Sequence, residues 1–233
     1  MKRFYKDVTV GAVDGGFAVL LDGRPVKTPK RAPQIVPTRG LAEALAAEWA
    51  AQGETLDPRA FRFRDHADYA LDIVGTDRAE TIAQLLTFGE TDTLCYRAEP
   101  GEALFRRQEE RWEPLLQRLE AREGVRFIRI SGVLHRPQPP ESLAKLRERL
   151  TAFDDFTLGG LFAIVSLAAS LVIGLEALEA GANLDELFAL AELEEAWQAE
   201  LWGRDAEAEA RTAKRAADFT TAHEFLRLVR ARR

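Results

Sequence analysis

The chain has 233 residues, of which 46% are apolar and 30% charged, and its formal net charge is −6. That length supports one large domain or two modest ones with a substantial core, and that balance excludes a disordered or fibrous chain. The acidic excess argues against general nucleic-acid binding, because phosphate contacts need a basic face.

The first residues, Met1 to Lys6, enter a folded pattern at once, with neither an apolar secretory core nor an Arg/Ser-rich transit segment, so a cytoplasmic location is expected. Phe4 to Val10 alternates, Phe17 to Leu21 is a short apolar run, and Asp22-Gly23 between extended stretches is the favoured two-residue hairpin turn. Ile35-Val36 can add a strand. The period changes at Gly40: Leu41, Ala44, Leu45, Glu48, Trp49 and Gln52 share a helical face that Gly53 ends. Phe61-Arg62-Phe63 reads as a brief alternating segment, and the text beyond Asp65 is mainly helical. A helix over about 104–120 contains Pro114, which predicts a kink or a new start there. Val125 to Ser131 alternates like a strand that could return to the N-terminal sheet.

Phe156 to Leu175 carries no charge and is long enough for a membrane span. Its many small residues and acidic flanks favour instead a helix buried at the centre of a helical domain. Asn183 with Glu186 three residues on has the form of an N-cap for a helix running to about Trp202, where Gly203 stops it. A last amphipathic helix ends in a basic run from Arg227 to Arg233. The expected class is α+β: a small β-rich N-terminal domain over residues 1–55, with 125–131 as a possible added strand, followed by a larger α-helical bundle domain over 56–233.

Motifs for chemistry are absent. The chain has no Walker loop, no GxGxxG after a strand, no HExxH and no GxSxG, and its three histidines, His66, His135 and His223, lack ligand spacing. Cys95 is the only cysteine, which excludes an internal disulfide and reads as a small buried apolar residue. Asp65, His66, Asp68 and Asp72 form the best metal candidate and the basis of an alternative reading as a small-molecule or metal-dependent enzyme. The other reading is a solvated acidic edge near a helix N-terminus. The Arg24 and Lys27 hairpin could bind phosphate or stand as a charged hairpin in water. At about 100° per residue, Leu187, Leu190, Ala191, Trp197, Leu201 and Trp202 share one broad face. Glu194 and Gln198 project from its middle, Glu195 lies at its edge, and Glu192 and Glu200 lie away from it. A carboxylate amid apolar residues is costly if buried alone. It either completes an internal polar network or offers a charge within apolar surface to a partner.

The sequence closely resembles the family of assembly chaperones for the α subunit of the catalytic sector of F-type ATP synthase, found in mitochondria and related bacteria. The matching pieces are Lys2 to Lys6, Leu21 to Pro29, Glu48 to Gln52, Thr91 to Arg97, Gln108 with Trp112, Pro114 to Leu116, Leu193 to Gln198, and Trp202-Gly203. Beyond Gly203, from Arg204 to Ala208, the match thins. The resemblance implies a non-enzymatic holder, without cofactor or metal, that covers free α subunit until the β subunit joins. No nucleic-acid partner, no stable membrane insertion and a monomeric state are expected. Relatives in eukaryotes would reside in the mitochondrial matrix. The family gives weight to a carboxylate in the motif matching Leu193-Glu194-Glu195. Helical phase selects Glu194 as the partner-binding residue, with Glu195 and Gln198 beside it.

Overall fold

The computed structural model describes residues 1–132, 135–203 and 205–231. Val133, Leu134, Arg204, Arg232 and Arg233 lie outside the described residues, and with them the end of the expected basic run and the first residue after Gly203. The strands are β1 (Val8–Val13), β2 (Gly16–Leu21), β3 (Arg24–Pro25), β4 (Ile35–Val36), β5 (Tyr96–Arg97) and β6 (Ile130–Ser131). The helices are α1 (Arg39–Ala50), α2 (Arg62–Tyr69), α3 (Arg78–Glu90), α4 (Ala103–Glu123), α5 (Pro140–Thr151) and α6 (Asp155–Ala168). They continue as α7 (Leu171–Glu176), α8 (Leu184–Ala191), α9 (Leu193–Trp202) and α10 (Ala206–Arg230). A small sheet near the N-terminus followed by many helices is an α+β fold. The elements gather into two compact units: Met1–Thr81 with Asp154–Gly160 and the segment from Thr221 onward, and Ile82–Phe153 with Leu161–Thr220.

In the first unit β1 and β2 pair antiparallel from Val8 opposite Leu21 to Val13 opposite Gly16, and β3 and β4 both pair with β2. Asp22 and Gly23 turn between β2 and β3 at φ of 47° and 76°, the two positive values that a type I′ hairpin needs. Thr38 caps α1 by accepting from Leu41 N, and Leu41, Ala42, Leu45 and Trp49 of that helix are buried. Their neighbours in the core include Val19, Leu21, Val36, Phe61 and Phe225.

Helix α2 starts where alternation suggested an extended segment. The carboxylate of Glu48 accepts from Phe63 N at 2.7 Å and Arg64 N at 3.0 Å, satisfying two of the orphan N–H groups of the first turn. A cap supplied from 15 residues upstream leaves no mark in the local pattern. Glu48 and its neighbours also anchor the N-terminus. Tyr5 Oη donates to Trp49 O at 2.7 Å, and Arg3 donates to Gln52 O at 2.6 Å.

In the second unit Asp92 is completely buried and accepts from Leu94 N, Ser170 Oγ and Val172 N at 3.1, 2.8 and 3.0 Å. These bonds explain why the apolar run is not one continuous helix. Ala169 takes φ of 47°, Ser170 caps the next helix through Ile173 N, and α7 folds back against α6. The approach is so close that a Cβ on Gly174 would lie 2.3 Å from Val165 Cγ2. Among the described residues no helix is long and apolar enough to cross a membrane.

Pro114 lies inside α4 without ending it, so no new start falls there, and the buried Gln108, Trp112, Leu115, Leu116 and Leu119 keep one helical face on both sides of it. One further expectation is corrected. In the 125–131 segment only Ile130–Ser131 is a strand, and it pairs in parallel with β5 rather than joining the N-terminal sheet.

Candidate functional site

The stretch singled out by its interrupted apolar face is two helices. Asn183 caps α8 by accepting from Glu186 N, as expected, but the helix breaks at Glu192, which ends α8 and begins α9. The break changes the phase of everything after it. Glu192, expected on the solvent side, is 6% exposed and forms an ion pair with Arg215 at 2.5 Å. Leu201 and Trp202, expected on the apolar face, are 58% and 79% exposed.

The face of α9 toward α4 is polar and specific. Glu194 is half-buried and accepts a 2.6 Å hydrogen bond from Gln108 Nε2, while Gln108 Oε1 accepts from Ala98 N at 2.8 Å. One turn away on α4, Trp112 Nε1 donates to Leu190 O at 2.9 Å. Arg107 stacks on Trp197 at 4.4 Å and makes 2.8 Å bonds to both carboxylate oxygens of Glu200. The matched pair Gln108 and Trp112 thus positions the matched Glu194 motif.

Burial raises the pKa of Glu194; donation from Gln108 opposes this, and the nearby charge of Glu195 adds to it. Glu192 is also raised, chiefly by burial and against the pull of Arg215.

Glu195 and Gln198 are exposed and do not join the Gln108 network. They line a cleft of about 830 Å³ between α9 and the first turns of α10, together with Trp202 and Thr212. Arg211 and Arg215 also line it, but their charges meet Glu207 and Glu192. Of the three residues expected at the site, two share this cleft and Glu194 faces α4. Leu201, Trp202 and Glu192 were all placed by helical phase, but an unbroken helix could not give the exposure of the first two or the burial of the third, which follow from the break at Glu192.

The acidic cluster near Asp65 has a different role. Asp68 accepts from Gln34 Nε2 at 2.6 Å; Asp72 accepts from Thr28 Oγ1 at 2.6 Å and Lys30 N at 2.9 Å. These carboxylates pin the loop between β3 and β4, while Asp65 pairs with Arg64 at 2.9 Å. His66 stacks with Phe225, their centroids 5.2 Å apart. Among the described residues no group of three or more His, Cys, Asp or Glu is arranged to hold a metal ion. Cys95 is buried, and burial pushes its thiol far above the ordinary range.

A family profile described as ATP12 chaperone protein matches residues 2–120. The mitochondrial protein atp12 of the fission yeast Schizosaccharomyces pombe is 26% identical over 214 residues, covering 87% of this chain and 74% of its own length. The crystal structure of Atp12 from Paracoccus denitrificans superposes with a TM-score of 0.93 at 38% identity, covering 98% of both chains. The Atu1473 protein of Agrobacterium tumefaciens superposes with a TM-score of 0.92 at 40% identity, over 98% of this chain and 86% of the other. The chain belongs to the ATP12 chaperone family.

Proposed function

We propose that this protein, an ATP synthase assembly chaperone by family, binds the free α subunit of the catalytic sector and covers its subunit interface until the β subunit takes over. It does so by contact alone, without a catalytic residue, cofactor or metal, and as a monomer in the bacterial cytoplasm. The observation that carries the reading is the end of α9. Leu201 and Trp202 stand in solvent beside the cleft that holds Glu195 and Gln198. Adjacent exposed Leu and Trp at the edge of a cleft with polar groups suit recognition, and Trp is prominent among residues that dominate interface energies.

The physical need is general. Subunits of a ring expose apolar heterologous surfaces before they assemble, and such surfaces aggregate. A temporary cover has to include polar contacts, so that the proper neighbour displaces it. Glu195 and Gln198 supply those contacts at the cleft, and Glu194 sets the pose of α9 through Gln108.

Co-expression with the α subunit tests the assignment. Wild type is expected to keep α subunit in the soluble fraction, and Trp202→Ser and Glu195→Lys to fold normally yet lose most of that capacity. If both variants protect α subunit as well as wild type does, the α9 assignment is wrong.

A further inference from the structure

The N-terminal unit contains a second cleft, of about 490 Å³, which plays no part in the reading above. Its lining brings together Phe4, Tyr5, Arg24, Lys27 and Trp49, drawn from three pieces of sequence far apart in the chain. Phe4 is 62% exposed, and its ring stands edge-on to Tyr5 with 5.3 Å between centroids. Tyr5 and Trp49 are fixed in turn. Their rings pack edge to face at 5.5 Å, the Tyr5 hydroxyl is bonded to Trp49 O, and the indole Nε1 of Trp49 has no acceptor among the described residues. The cleft therefore presents one exposed ring, that of Phe4, over a floor edged by the buried and fixed Tyr5 and Trp49, and that floor loses little conformational freedom on binding.

The charge on this cleft is opposite in sign to that of the whole chain. Arg24 and Lys27 are exposed, and neither forms an ion pair among the described residues. The acid at the rim, Asp22, is already engaged. Its Oδ1 accepts from Asp7 N at 2.8 Å and Lys6 N at 3.0 Å, and those bonds hold its pKa below the usual carboxylate range. Asp22 offsets part of the charge of Arg24, and Lys27 leaves the rim with a net positive charge beside the exposed Phe4 ring, on a chain of net charge −6; that is a local, selective surface rather than a general anion field.

We propose that this cleft is a second client-binding site, and that it takes an extended acidic segment of the client polypeptide in which a carboxylate stands next to an apolar side chain. Arg24 and Lys27 receive the carboxylate; Phe4, Tyr5 and Trp49 receive the apolar group. The proposal rests on the reading of the chain as a holder of an unassembled subunit, but it concerns a different surface.

Two measurements on the full-length protein test it. The first titrates a capped peptide Asp-Phe-Asp-Leu-Glu, and its counterpart with lysine at each acidic position, while following the Trp49 indole resonance by NMR. Saturable movement with the acidic peptide only, weakening as salt is raised, is expected. The double variant Arg24→Glu, Lys27→Glu is expected to bind roughly tenfold more weakly or worse. Phe4→Ala is expected to weaken binding without loss of folding, since Phe4 lies mostly in solvent. No movement, or equal movement with the lysine peptide, overturns the proposal. The second measures capture of purified α subunit. Wild-type capture with a clear loss in the double variant supports the site. Equal capture by both overturns it and leaves the α subunit reading standing. Charge-selective peptide binding without α subunit capture supports the cleft and sinks that reading instead.

Discussion

Glu192 and Glu194 are both drawn out of water, although residues two apart on one helix point about 200° from each other. The break at Glu192 makes this possible, giving each carboxylate its own partner, Arg215 and Gln108. For Glu194 the folded-state pKa is raised, so the folded chain holds that proton more tightly than the unfolded chain does. Its contribution therefore favours folding most at low pH, and weakens as pH rises through the raised value. Glu194→Gln keeps an acceptor for Gln108 Nε2 and removes the charge. Thermal melts between pH 4 and pH 8 are expected to show the variant at least as stable as wild type at neutral pH, with a flatter pH profile. A clear loss of stability at pH 7 would mean that the ionised carboxylate is required for folding. Asp92 and Asp68 are both raised to about 6, in each case chiefly by burial. By the same sign, stability is expected to fall as pH rises from about 4 through about 6. Asp92→Ala leaves the N–H groups of Leu94 and Val172 and the hydroxyl of Ser170 without their acceptor, and a loss of about 2–4 kcal/mol is expected in urea titrations.

At the scale of elements, α1 shows how a helix can be both scaffold and cap. Trp49 packs on Tyr5 and Phe61 with ring centroids 5.5 and 4.6 Å away, and Glu48 beside it starts α2. Trp49→Ala is expected to cost about 3–5 kcal/mol, measured by chemical denaturation. Trp202→Ser, at an exposed tip, is expected to change stability by no more than about 0.5 kcal/mol. This contrast marks what sequence reading could reach. The Asp22-Gly23 hairpin, the face of α1 and the Asn183 cap were legible because local turn chemistry and periodicity decide them. Features set by distant partners were not. The start of α2 depends on Glu48, the break before α7 on Asp92, and the parallel pairing of β6 with β5 on residues more than thirty positions away. At the site, the carboxylate-bearing motif was readable from the α9 sequence, whereas its orientation depended on Gln108, Trp112 and Arg215 in other helices.

The chain has two clefts of different character, both proposed above as client surfaces: an acidic one with a tryptophan at its edge in one unit, and one with two cations and an exposed Phe in the other. A temporary holder gains from such a division, since modest contacts at separate sites combine in strength yet can be replaced one at a time. The same logic limits affinity at either site alone, so that a native neighbour with a larger interface displaces the holder. Sedimentation of the purified protein mixed with purified α subunit, before and after β subunit is added, tests this most directly. A complex with α subunit that comes apart as β subunit binds, releasing this protein unchanged, is the expected result; failure to form that complex, or its persistence alongside bound β subunit, would contradict the role of temporary holder.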